Sequence, residues 1–181
     1  MKPTGIVRRI DDLGRVVIPK ELRKMMNVRE GDPLEMYVSD KKLVLQKHSE
    51  FAAKKDITEQ LVKGHDSKSG VFLAIIDTDT VVAVNTGRIP TDREIENNIL
   101  SKELMGIVTE YSFPYKDTVF NPTEEVKLIQ HYDYYVKRVY RISPHVGAVA
   151  FFTKGNKDVK ITPEMDTIAK YITKILNNDE F

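Results

Sequence analysis

The chain has 181 residues, of which 41% are hydrophobic and 30% charged, with no Cys and a net charge of +1. That composition describes an ordinary globular protein of one or two domains and excludes disulfides and Cys-ligated zinc or iron–sulfur sites. No apolar run approaches the roughly 18–20 residues that span a bilayer, and charges interrupt MKPTGIVRR before any apolar stretch of signal-peptide length, so no membrane partner and a cytoplasmic location are expected.

In chain order, residues 5–11 and 14–18 read as strands around an Asp12-Leu13-Gly14 turn, with Gly14 free to take positive φ. Pro19 opens a short helix, where its missing N–H costs nothing. Leu22, Met25 and Met26 recur at helical spacing as an apolar face, and Lys20, Arg23 and Lys24 recur on the opposite side. Gly31-Asp32 ends that unit. Leu34, Met36 and Val38 alternate with Glu35 and Tyr37 as a half-buried strand, and Asp40-Lys41-Lys42 turns into another at 43–47. A unit this short, with no Cys and no evident metal site, buries too little apolar surface alone. The remaining stabiliser is a second copy, so an obligate dimer is expected.

Residues 51–69 are polar, with Ile57, Leu61 and Val62 at helical spacing, and read as a linker helix. A second domain is expected over 70–181. Val71–Asp77 and Thr80–Val84 read as strands. Thr91 with Glu94 matches a capping box for one helix to about Thr109, with Ile95, Ile99, Leu104, Ile107 and Val108 inward. Residues 126–130, 134–142 and 146–152 read as three further strands. Thr162-Pro163-Glu164 starts a last helix whose Met165, Ile168, Ala169, Ile172, Ile175 and Leu176 form one continuous stripe. Part of that stripe is expected on the sheet and the rest in a subunit contact.

Charge is distributed unevenly. Residues 1–48 hold 11 Lys+Arg and 7 Asp+Glu, a net of +4; the remainder holds 17 and 20, a net of −3. A basic head on a slightly acidic body points to a polyanion partner for the head alone. The cluster in its strand–turn–helix setting reads as a DNA-contacting surface able to neutralise several phosphates when doubled by dimerisation. Arg8 and Arg9 fall on opposite faces of a flat strand, so only a twist or bulge would bring both to DNA. Asp11 and Asp12 read as turn residues paired with nearby Arg. His48, His65, His131 and His145 lack ligand spacing, and no P-loop, GxSxG or dinucleotide fingerprint occurs, so no catalysis, metal or cofactor is expected. Tyr132, Tyr134, Tyr135 and Tyr140, with Phe151 and Phe152, read as core on strands; lining a small-molecule pocket is the alternative.

The run KPTGIVRRIDDLGRVVIPKELRK, continued by REGDPLEMYVSDKKLVLQKH, closely resembles the N-terminal DNA-binding domain of the AbrB family of bacterial transition-state regulators. The two-part layout resembles members of that family that add a C-terminal GAF domain. The resemblance implies an α+β protein. Residues 1–50 would form a dimeric swapped-hairpin β-barrel, and 70–181 a GAF-like antiparallel sheet with flanking helices. It implies a regulator of stationary-phase or sporulation genes that binds double-stranded DNA, with Arg8, Arg15, Arg23 and Lys24 as contacts and Arg9 secondary. The family commonly has Arg where Lys24 stands; Lys keeps the charge and loses the planar fork. It further implies a homodimer through the barrel, a tetramer through the C-terminal helices, and an unidentified small-molecule effector. The alternatives are an antitoxin built on the same barrel and a small-molecule sensor whose body does the main work. Ser143-Pro144-His145 is a shorter connection than the two-domain relatives carry, so a tight strand pair is expected there.

Overall fold

The computed structural model describes residues 4–26, 28, 30–49, 51, 54–109, 119–143 and 147–177. The chain divides into two compact units, residues 1–48 and 49–181.

In the first unit the tip at Asp11–Arg15 is closed by two backbone hydrogen bonds. Asp11 N donates to Arg15 O and Gly14 N to Asp11 O, each at 3.0 Å. Gly14 sits at φ 76°, the conformation the turn requires and a side chain resists. The flanking residues 5–10 and 15–18, expected as strands, form no ladder among the described residues of one chain. Helix α1 spans Lys20–Met25, with Pro19 as its N-cap just before the first helical residue. Strands β1 (Leu34–Ser39) and β2 (Lys42–Lys47) form an antiparallel hairpin. Its two-residue turn places Asp40 at φ 49° and Lys41 at φ 61°, the twist-matched geometry of tight hairpins. The expected half-burial of β1 fails beyond Leu34: Met36 is 67% and Val38 81% exposed, and their cross-strand partners Leu45 and Leu43 lie on the same face. No described residue covers that face. Helix α1 likewise has no buried residue.

The second unit is a five-stranded antiparallel sheet in the order β4-β3-β7-β6-β5. Its strands are β3 (Val71–Ile76), β4 (Val81–Asn85), β5 (Val119–Phe120), β6 (Tyr134–Ser143) and β7 (Gly147–Lys154). Of the short connection expected at Ser143-Pro144-His145, Ser143 ends β6 and pairs with Gly147, and the other two residues lie outside the described ones. The two-residue period of β3 and β7 sends Ala74, Ile76, Ala148, Ala150 and Phe152 to one face, and Leu73, Ile75, Val149 and Phe151 to the other. Because both faces are buried, these strands read as continuous apolar runs. Helices α3 (Ile89–Ile95) and α4 (Lys102–Thr109) cover the first face with Ile95, Leu104 and Val108. Helices α2 (Lys55–Lys63) and α5 (Pro163–Asn177) cover the second with Val62, Ala169, Ile172 and Leu176.

Several expectations are corrected. The segment read as a linker helix is α2, which packs on β4 and β3 with Val62 fully in the core. The single helix over 91–109 is two helices. Asn97 turns to φ 62°, and residues 97–100 give their backbone groups to the turn before β4 and to its first residue: Asn97 N to Val81 O at 2.8 Å, Leu100 N to Asp79 O at 2.8 Å. Those bonds replace helical ones, and Ile99, expected inward, is 64% exposed. The cap is Ser101, whose Oγ accepts from Leu104 N at 3.1 Å; Thr91 lies inside α3. Residues 126–130 make isolated bridges, Lys127 to Tyr135 and Ile129 to Leu100, and no strand. The edge strand is the short β5. Thr162 does cap α5, its Oγ1 accepting from Met165 N at 3.3 Å.

Candidate nucleic-acid interface

Between Thr4 and Met26 the chain carries Arg8, Arg9, Arg15, Lys20, Arg23 and Lys24 against Asp11, Asp12 and Glu21. All but Arg23 and the capping Pro19 region project into solvent: Arg8, Arg9, Arg15, Lys20 and Lys24 are exposed. Tip and helix are joined by only a few residues, so the cations of both belong to one short stretch of backbone.

The tip is organised by Asp11. Its Oδ1 accepts from Leu13 N at 3.1 Å and from Arg15 N at 2.7 Å, while Oδ2 accepts from Arg15 Nε at 2.8 Å. The backbone and side-chain hydrogen bonds from Arg15 hold the Asp11 carboxyl below its ordinary range. One carboxylate therefore shapes the turn and orients a guanidinium whose terminal nitrogens remain outward. The sequence placed Asp11 in the turn and paired it with a nearby Arg; the structure makes that partner Arg15, four residues on.

Arg8 donates from Nη1 to its neighbour Val7 O at 3.1 Å, and Arg9 is solvent-facing. Arg23, grouped from the sequence with Lys20 and Lys24 as an outward cation, is half-buried; its Nε is buried and has no hydrogen-bond partner among the described residues. An Arg nitrogen withdrawn from water without a partner is costly. Its backbone is firmly held, with Arg23 N donating to Pro19 O at 3.0 Å and Val28 N to Arg23 O at 2.8 Å.

Residues 7–52 match a family model described as antidote-toxin recognition MazE, bacterial antitoxin. The chain is similar to stage V sporulation protein T of Bacillus subtilis (strain 168), with 34% identity across 160 residues, 85% of this chain and 86% of that protein. A stretch of 48 residues is similar to the transition state regulatory protein AbrB of the same organism, at 58% identity, 26% of this chain and 50% of that protein. A solution structure of the N-terminal DNA recognition domain of Bacillus subtilis AbrB aligns at 57% identity, covering 27% of this chain and 92% of that one, with a TM-score of 0.24. The head is thus of the class that MazE-type antitoxins and AbrB-type regulators share. The chain belongs to the stage V sporulation protein T family.

Proposed function

We propose that this protein is a DNA-binding transcriptional regulator in which residues 1–50 form the DNA-contacting head, as a dimer, and the rest forms a regulatory and pairing body. The observation that carries it is the exposed basic tip and helix, oriented by Asp11, in a unit that leaves its own apolar residues uncovered. Val7, Ile10, Val17, Met25, Met36 and Val38 are each at least 70% exposed except Met36 at 67%. A second copy whose hairpins interleave with these would supply both the missing strand partners and the missing core, which is the swapped-hairpin barrel. Two basic tips then face one duplex. Phosphate contacts supply most of the affinity, and DNA shape much of the preference.

The contacts assigned are Arg8, Arg15, Arg23 and Lys24, with Arg9 secondary. Binding of a labelled duplex measured against salt tests them. Arg15→Ala or Arg23→Ala should weaken binding across many sequences, and each lost phosphate contact should flatten the slope of log K against log salt by about 0.9. Wild-type affinity and slope in both variants would mean a different surface binds.

The body, an antiparallel sheet covered by helices on both faces, supports a GAF-like reading and a role in sensing an effector in the cytoplasm. Among the described residues no helix is long and apolar enough to cross a membrane. A second reading, an antitoxin, is favoured by the MazE-type match over residues 7–52. A flexible toxin-binding tail is the usual companion of such a head, whereas here the remainder builds a two-faced core. Co-purification of a toxin from the native cell would decide for it.

A further inference from the structure

At one end of the body's sheet the strand register collects an aromatic floor under a cationic rim. Phe72 of β3 pairs with Phe152 of β7, and Tyr134 of β6 pairs with Lys154 of β7. Directly opposed residues share a sheet face, and Phe152 and Lys154 are two apart, so all four side chains stand on the same face. The Phe72 and Tyr134 rings both pack on Phe152, with centroids 5.5 Å and 5.7 Å away. Above them lies a cleft of about 400 Å³, within the size range of small-molecule sites.

The cleft is lined by Lys68, Arg88, Lys154 and Lys157 and by no carboxylate. These come from four places: the 3₁₀ turn at Ser67–Ser69, the residue before α3, the end of β7 and the loop after it. None of the four forms an ion pair with a described residue. The nearby acids are engaged. Asp92 accepts from Thr86 N at 2.8 Å and Thr86 Oγ1 at 2.6 Å, and Asp66 accepts from Lys68 N at 3.0 Å. Burial, with smaller parts from Glu94, Tyr132 and Asp92, pushes the Tyr134 hydroxyl above its ordinary range.

The wall is built to stay open at this size. Asn85 Nδ2 donates to Val62 O at 2.9 Å and His65 O at 3.0 Å, and its Oδ1 accepts from Gly87 N at 2.9 Å, tying the α2 exit to the end of β4. Gly87 has φ +74°, and a Cβ there would meet Ser67 Oγ at 2.4 Å. The positive φ favours Gly here, and a larger residue would push the Ser67 hydroxyl aside.

Four exposed cations that form no ion pair with a described residue line one open cleft and repel one another. A bound dianion relieves that, and Arg88 offers a planar fork suited to phosphate. The floor meanwhile presents ring surface. We infer that this cleft binds a small organic phosphate carrying a flat ring, and that it is the effector site of the body. This rests on the reading of the body as the sensing half of a DNA-binding regulator.

The test is calorimetric titration of the full chain, at fixed ionic strength, with phenyl phosphate, adenosine monophosphate and inorganic phosphate, and DNA affinity measured on the same samples. Saturable binding of at least one ring-bearing phosphate, about tenfold tighter than inorganic phosphate, is expected. Arg88→Glu and the double variant Lys154→Glu/Lys157→Glu should each weaken it at least tenfold while melting like the parent, since all three positions are exposed. No saturable binding of either ring-bearing probe, with DNA affinity intact, overturns the site and leaves the regulator reading standing. Equal binding of inorganic phosphate, or binding indifferent to the charge reversals, also overturns it. So does loss of DNA affinity in the variants without small-molecule binding, which would assign the rim to nucleic acid.

Discussion

Arg15 donates from both its backbone N and its Nε to the carboxylate of Asp11, at 2.7 Å and 2.8 Å. An acid placed in the middle of a basic surface opposes a polyanion by charge, yet here it sets the turn that presents the cation. The two effects have opposite signs and are separable.

Asp11→Ala removes a negative charge, which alone would tighten DNA binding. It also removes three hydrogen bonds that shape the tip. We expect the loss of orientation to win and affinity to fall, by roughly 3- to 10-fold if about 1 kcal/mol of preorganisation is lost. Anisotropy titration of a fixed duplex reads the sign directly. Tighter binding would show that Asp11 acts only through its charge.

The uncovered face of the β1–β2 hairpin predicts assembly. A fragment of residues 1–50 should sediment as a folded dimer, because one copy leaves Met36, Val38 and Leu43 in water. Val38→Lys, at 81% exposure, would be harmless to a monomer. In the dimer it buries a charge, so the variant fragment should lose its circular dichroism signal or dissociate. A stably folded monomer would contradict the interleaved barrel.

The part of the α5 stripe expected on the sheet includes Ile172 and Leu176, which are 1% and 2% exposed in the core, while Met165, Ile168 and Ile175 are half-buried. Leu176→Ala should cost about 2–5 kcal/mol, and Ile172→Lys should unfold the body through an unpaired buried charge. Differential scanning calorimetry of the full chain would show the body transition lowered or absent. Tyr171, 64% exposed on the same helix, should tolerate Lys with little change.

A polar cluster ties α5 to β6. The Tyr140 hydroxyl donates to Asp166 Oδ1 at 2.8 Å, and Arg138 and Lys170 stand 3.4 Å and 2.6 Å from the same carboxylate. The hydrogen bonds from Lys170 and Tyr140 hold Asp166 below its ordinary range. Its stabilisation is therefore present above the unfolded carboxyl range and lost as pH falls through the lower folded value. Burial, with a smaller part from Asp166, pushes Tyr140 up to about 12. That contribution is present below the unfolded value near 10 and lost as pH rises toward 12. Asp166→Asn should flatten the acid limb of the thermal midpoint against pH, and Tyr140→Phe the alkaline limb. Limbs unchanged in both variants would place the titration elsewhere.

Much of this protein is local and was legible as such. The Gly14 turn, the Pro-started α1, the Thr162 cap and the alternating strands each depend on residues a few positions apart, and the basic stretch at 8–24 is contiguous. Even there the reading stopped at burial: Arg23 looked outward by periodicity, and only packing shows its Nε withdrawn. The break between α3 and α4 was illegible because the bonds that replace the helix come from Asp79 and Val81, so a periodic run of Ile and Leu concealed it. Helix α2 looked like a linker because its core contacts, through Val62 and Leu61, are made with a sheet that begins later in the chain. The α5 stripe was visible as a stripe, but what covers it is a property of β6 and β7. Lys68, Arg88, Lys154 and Lys157 share no spacing at all; strand register and the close pass at Gly87 bring them to one rim. Helix and turn chemistry act over a few residues and can be read along the chain, whereas burial and convergence depend on contacts between distant segments, which one chain's order does not encode position by position.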